Sequence, residues 1–138
     1  MADNDTQEAK ARGVNIDASQ KHCTEIGGFI RGDDVSTAKE KLEKVIKKEQ
    51  PVPYDKYDSD LAHKKGSGDS GRYPVNASKE VLRLLESAEQ NAVYEGMDEQ
   101  NLYIAEYYAN QGQRMETPGR NRGRKPKSAH VTIKLRER

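Results

Sequence analysis

Two short runs near the C-terminus limit the fold more than any other feature of this chain. Leu102, Ile104, Glu106 and Tyr108 alternate with Tyr103, Ala105, Tyr107 and Ala109, and Val131, Ile133 and Leu135 alternate with Thr132, Lys134 and Arg136. A period of two marks a half-buried strand. Between the runs lie Gly112, Pro118, Gly119, Gly123 and Pro126, residue types that interrupt regular structure. The two runs are therefore predicted to pair as an antiparallel hairpin over about residues 101–137. From Leu102 to Met115 an extended strand covers about 45 Å at ~3.3 Å per residue, whereas a domain of about 100 residues has a radius of gyration of only about 13 Å. A fully extended hairpin would project beyond its own core. Because an isolated two-stranded ribbon is marginal in water, it is expected to be ordered by whatever it enters.

Charge suggests what that environment is. The stretch TPGRNRGRKPK, Thr117 to Lys127, carries five positive side chains and no negative one. Residues 111–138 hold nine Lys/Arg against Glu116 and Glu137, a net of +7, while the whole chain is +1, so residues 1–110 sum to −6. An isolated basic run is often only a solvated loop. At the end of a projecting hairpin, with Gly and Pro but no apolar anchor, it points instead to a phosphate-rich partner.

The rest of the chain fits one modest domain. With 138 residues, 33% hydrophobic, no Trp and one Phe, the core is lean, and 34% charged residues is high for a free-standing enzyme. Residues 1–12 are expected to form a mobile arm and residues 13–138 a single domain, with Val14–Asp17 a short extended segment. A helix is predicted from Ala18 to Gly32, capped by Asp17 or Ser19, with Ile26, Phe29 and Ile30 on one face. Gly27 and Gly28 inside it weaken the helix or mark a close approach by another backbone. A second helix follows Asp33 or Asp34, with Val35, Ala38, Leu42, Val45 and Ile46 on its stripe and Pro51 as its stop. The third and clearest carries Val81, Leu84, Leu85, Ala88 and Ala92, with Asn76 as cap and Gly96 as terminator. Pro51 to Pro74 is a long irregular segment, of the kind that is commonly functional or disordered.

No catalytic constellation emerges. His22, His63 and His130 are far apart and lack the i, i+3 or i+4 partners of a metal site. Ser19, Ser67 and Ser70 have no nucleophile-elbow context. The glycine-rich GSGDSG lacks the GK[ST] ending of a phosphate loop. Cys23 is alone, so no internal disulfide is possible, and it is expected to be a small buried side chain. No secretory leader or bilayer-length apolar run is seen, which favours a soluble intracellular protein without membrane contact; no metal and no cofactor are implied. His63, Lys64 and Lys65, with Arg72 and Tyr73, surround glycines that let a backbone approach phosphates; an exposed polar loop is the alternative. Tyrosines such as Tyr103, Tyr107 and Tyr108 can stack on bases, although Tyr in strands is more often packing.

Several segments, in this order, resemble one family: KARGVNIDASQKHCTEIGGFIRG, STAKEKLEKVI, QPVPY, GRYPVNASKEVLRLLESAEQNA and GMDEQNLYI. They are similar to the large-subunit ribosomal protein numbered twenty-two in bacteria and seventeen in eukaryotes, in its archaeal and eukaryotic version, from about Lys10 to the C-terminus. The resemblance implies an α+β fold, three helices packed on a three-stranded antiparallel sheet with a long projecting β-hairpin, and a structural, non-enzymatic role in the large ribosomal subunit in the cytoplasm. It implies rRNA binding, support of subunit assembly, and a hairpin lining part of the peptide exit tunnel. Partners would be large-subunit rRNA, neighbouring ribosomal proteins and the nascent chain at the tip. Carried over by position, rRNA contacts would come from Arg114, Arg120, Arg122, Arg124, Lys125 and Lys127 in the hairpin. Further contacts would come from His63, Lys64, Lys65, Arg72 and Tyr73 in the loop, and from Ser19, Lys21 and His22 at the start of the first helix. The near-neutral charge, with Asp55, Asp58, Asp60 and Glu116, departs from the family's basic habit and implies a smaller RNA footprint. The competing possibility is a non-ribosomal protein-interaction module with a disordered basic tail.

Overall fold

A computed structural model describes residues 7–53, 71–112 and 128–138 of the chain. Strand β5, Ala129–Glu137, organises it. Ala129, Val131, Ile133 and Leu135 are all fully buried, while His130, Thr132, Lys134 and Arg136 on the other face are half-exposed. This strand lies in the middle of a three-stranded antiparallel sheet, between β1 (Ala9–Ile16) and β4 (Leu102–Gln111). The fold is thus α+β, as the resemblance implied. Residues 129–137 are the central strand, so a disordered tail is ruled out for them.

Strand β4 differs from its predicted pattern in an informative way. Ile104 pairs with Leu135, but Glu106 pairs with Lys134, leaving Ala105 as an extra residue in β4. Such a bulge reverses which alternate residues face inward. Leu102 and Ile104 point to the core before it and Tyr107 after it, whereas Glu106 and Tyr108 turn outward instead of continuing the apolar set. Strand β1 also starts earlier than expected: Ala9 and Ala11 are buried and Ala9 pairs with Leu135, so residues 9–12 belong to the sheet and not to an arm. A second bulge between Gly13 and Ile16 places Asn15 at φ 54°, and its N–H donates to Nδ1 of His130 at 3.0 Å.

Helices α1 (Gln20–Ile30), α2 (Val35–Ile46) and α3 (Val75–Tyr94) form the second layer. Their apolar stripes are buried as the spacing predicts, with Cys23, Ile26 and Ile30 from α1, Ala38, Leu42 and Val45 from α2, and Val81, Leu85, Ala88 and Ala92 from α3. Helix α3 lies on β1 and β5, and α1 on β4. Gly27 is where α1 and β4 come closest: the Tyr107 ring fills the space its missing side chain leaves, and the Tyr107 hydroxyl donates to the Cys23 carbonyl at 2.7 Å. The approach is made by a side-chain ring at Gly27 and not by another backbone, and the space beside Gly28 is open.

Ends and turns follow local chemistry. Ser19 caps α1 through its carbonyl, which accepts from Cys23 N–H at 3.0 Å. Asp34 precedes α2, and α3 begins directly after Pro74, which puts Asn76 inside its first turn and not at the cap. Gly96, at φ 84°, closes α3: its N–H donates to Val93 O and the Met97 N–H reaches back to Ala92 O, satisfying carbonyls the helix leaves open. Two short strands, β2 (Val52–Pro53) and β3 (Gly71–Arg72), pair antiparallel, so the segment 54–70 leaves and returns at one place.

Candidate nucleic-acid interface

The sheet delivers the basic hairpin segment from a single rung. The β4–β5 ladder runs in register to Gln111 opposite Ala129, and the Gly112 N–H then donates to Ser128 O at 2.9 Å. A Cβ on Gly112 would lie 2.5 Å from Ser128 Oγ and 3.0 Å from the Ala129 nitrogen, so only glycine lets the strands stay this close at the mouth of the loop. Arg114, Arg120, Arg122, Arg124, Lys125 and Lys127, together with any projection of the hairpin, lie outside the described residues, as do His63, Lys64 and Lys65.

Five of the residues singled out in the sequence can be placed, and two segments far apart in sequence prove to be neighbours. Arg72 is exposed and Tyr73 half-buried just before Pro74, where α3 begins. Ser19 and His22 are half-buried, and Lys21 is exposed, where α1 begins. A groove of about 410 Å³ joins the two, with Asp17, Ser19 and His22 on one side and Pro74, Val75 and Asn76 on the other. Neither helix has an acidic residue in its first turn or a side chain capping its N-terminus. Unneutralised helix starts carry partial positive charge from open N–H groups. Two of them face one groove, with Arg72 and Lys21 nearby in sequence, and their partial positive charge is set against the Asp17 carboxylate in the same lining.

The face of the sheet turned away from the helices was not identified from the sequence. Lys10 and Arg12 on β1, His130, Thr132, Lys134 and Arg136 on β5, and Tyr103, Glu106 and Tyr108 on β4 share it. Lys134 Nζ lies 3.2 Å from Glu106, and the Arg136 guanidinium bonds Glu8, its Nε at 2.8 Å. The hydrogen bond from Lys134 holds the Glu106 carboxyl below its ordinary value, and Glu106 in turn raises Lys134. The signal that could have revealed this face was Glu106 itself, an acid within an otherwise apolar set.

Among the described residues no cluster of His, Cys, Asp or Glu could hold a metal ion, and no helix is long and apolar enough to cross a membrane. Cys23 is buried, and burial pushes its thiol up to about 11, so it is a packing residue and not a nucleophile. Fold and surface together define a class: a small α+β protein with three helices on one face of a three-stranded sheet and cationic and aromatic side chains on the other.

Comparison with known proteins makes the class specific. The family model for Ribosomal protein L22p/L17e matches residues 11–136, and the chain belongs to that family. Large ribosomal subunit protein uL22 of Methanocella arvoryzae is 45% identical over 98 residues, covering 70% of this chain and 64% of that one, just under two thirds of its length. The uL22 of Ignicoccus hospitalis is 40% identical over 114 residues, 79% of this chain and 72% of the relative. That of Nanoarchaeum equitans is 37% identical over 136 residues, 94% and 78%.

Proposed function

We propose that this chain is a structural, non-enzymatic constituent of the large ribosomal subunit in the cytoplasm. It binds rRNA, supports subunit assembly and lines part of the peptide exit tunnel through its hairpin. The observation that carries this is the family match over residues 11–136, which takes in both hairpin strands and the basic segment between them. The mechanism is electrostatic and geometric. Lys and Arg displace the counterions condensed on rRNA phosphates, and shape and backbone are recognised more than base edges. Arg114, Arg120, Arg122, Arg124, Lys125 and Lys127 contact rRNA from the hairpin. His63, Lys64, Lys65, Arg72 and Tyr73 do so from the loop after β2, and Ser19, Lys21 and His22 from the start of α1. Ser19 and His22 share a groove with Pro74, Val75 and Asn76, which directly follow Arg72 and Tyr73 in sequence, and this supports a shared rRNA segment for the two described parts. Neighbouring ribosomal proteins and the nascent chain at the tip complete the set of partners.

Sedimentation of a tagged copy from lysate through a sucrose gradient, in moderate and then high salt, tests this. Comigration with large subunits and translating ribosomes is the expected result. A folded protein that stays at the top of the gradient would remove the ribosomal role.

A further inference from the structure

We propose that the helix-free face of the sheet is a second RNA-docking surface, on which Lys10 and Arg12 take phosphates and Tyr108 stacks an unpaired base of the same strand. This rests on the rRNA-binding role proposed above and assigns it a surface beyond the hairpin, the loop and the α1 start.

Charge is the first argument. On this face Lys134 and Arg136 are engaged by Glu106 and Glu8, but Lys10 and Arg12 are exposed and have no ion pair among the described residues. Exposed ion pairs contribute only about 0–1 kcal/mol each, and unpaired surface cations less, so stability does not explain two of them on one strand. The three helices on the other side carry no net charge: α1 holds Lys21 and Glu25, α2 holds Lys39, Lys41 and Lys44 against Glu40 and Glu43, and α3 holds Lys79 and Arg83 against Glu80, Glu86 and Glu89. The helix-free face, with Lys10, Arg12, Lys134 and Arg136 against Glu8 and Glu106, carries a net of +2. A polyanion is drawn to that face over the helical one.

The second argument is the placement of one aromatic ring. Arg12 pairs with Thr132, and Thr132 pairs with Tyr108, so the three stand in one row across the sheet. Arg12 and Tyr108 are two strand spacings apart, about 9.6 Å, with a small Thr between them as the floor of a shallow trough. Tyr108 is 47% exposed, and it faces outward because of the Ala105 bulge; the core takes Tyr107 instead. Tyr103, on the same face, is covered by the Arg138 guanidinium at 4.6 Å and offers no comparable open ring. Lys134 Nζ lies farther from the Tyr108 ring, at 5.9 Å, and its charge is paired with Glu106. β4 and β5, which carry Tyr108 and Thr132, lead in sequence into the basic segment 113–127.

A protein partner fits this face less well, because protein interfaces are depleted in Lys and in charge at their centres, whereas RNA-binding sheets combine exposed aromatics with cations.

The test is binding of the full chain to a full-length large-subunit rRNA transcript over a series of salt concentrations. The Lys10→Ala/Arg12→Ala double variant should lower the slope of log affinity against log salt by roughly 1.4 to 1.8. Tyr108→Ala should weaken binding about 5- to 150-fold with the slope unchanged, and Tyr108→Phe should bind like the wild type. All these side chains are exposed, and thermal melts of each variant check that the fold is kept. Suppose the face variants retain wild-type affinity and slope while Arg120→Ala/Arg122→Ala/Arg124→Ala loses affinity. The face proposal is then overturned and the ribosomal role stands. A wild-type chain that does not bind the transcript removes both. Face variants that bind RNA normally but fail to enter large subunits on a gradient would mark the face as a protein contact and overturn its assignment to RNA.

Discussion

Changing Gly27 to alanine should destabilise the protein by up to about 2 kcal/mol, opposite in sign to the usual effect of this substitution. In an open helix interior alanine is favoured over glycine by about 1 kcal/mol. Here the added Cβ would lie 2.3 Å and 2.4 Å from Cδ1 and Cε1 of Tyr107, about 1 Å inside ordinary carbon contact. The ring has nowhere to go, being 2% exposed and tied through its hydroxyl to the Cys23 carbonyl on the same helix. Moving it orphans a buried hydroxyl, at about 1–3 kcal/mol, and shifting α1 instead strains the core by a similar about 1–3 kcal/mol. Set against the gain in helix propensity of about 1 kcal/mol, either response leaves a net loss of up to about 2 kcal/mol. Urea unfolding reads the result directly: with a slope of about 2 kcal/mol per molar, the midpoint should fall by up to about 1 M. The control is the same change made in a Tyr107→Leu background, where the obstacle is absent and Gly27→Ala should be neutral or stabilising. A rise in midpoint in the wild-type background, or an equal loss in both, would refute the reasoning.

Three further outcomes are expected. Burial raises the Cys23 thiol from 9.0 to about 11, so the unfolded chain ionises first and stability should fall as pH rises from about 9 to 11. A pH series of unfolding midpoints should lose that first decline in Cys23→Ala, and the native thiol should resist a thiol reagent that labels the urea-unfolded chain. Gly96→Ala should cost about 1–2 kcal/mol, because φ is 84° there, and Gly96→Asn should recover part of it; thermal melts decide. Ser78 Oγ is fully buried and has no hydrogen-bond partner among the described residues, so Ser78→Ala should raise the melting temperature instead of lowering it, by the equivalent of about 1 kcal/mol.

The sequence patterns that carried through to the structure were the local ones. Helical stripes such as Val81, Leu85, Ala88 and Ala92 repeat within a few residues, and the same spacing that suggests a helix also selects its buried face. The alternation of β5 was equally legible. What failed needed information from a distant strand. Alternation from Leu102 suggests one continuous face, but the partner strand is one residue shorter between Leu135 and Lys134, and that mismatch turns Tyr108 out and Tyr107 in. Ala9 and Ala11 form a strand only because β5 supplies the pairing; two alanines have little strand preference of their own. The site shows the same division. Ser19, His22 and Tyr73 could be singled out by position in recognisable segments, yet nothing local places the start of α1 beside the start of α3. Lys10 and Arg12 went unnoticed because their importance depends on which face of the sheet the helices cover.

The position of β5 has a consequence for how the chain is made. The strand that joins both halves of the sheet is synthesised after both of its neighbours, and it must pair with residues translated far earlier, Ala9 with Leu135. Until residues 129–137 emerge, β1 and β4 have no partner between them, and both leave unpaired backbone groups. The helices can form early, but the sheet cannot close before β5 is out, and contacts this distant in sequence form slowly. Truncation shortly before Ala129 would therefore produce a collapsed helical layer without its sheet, not a nearly complete domain. The protein proposed to become part of ribosomes can close its own sheet only after β5 has emerged from one.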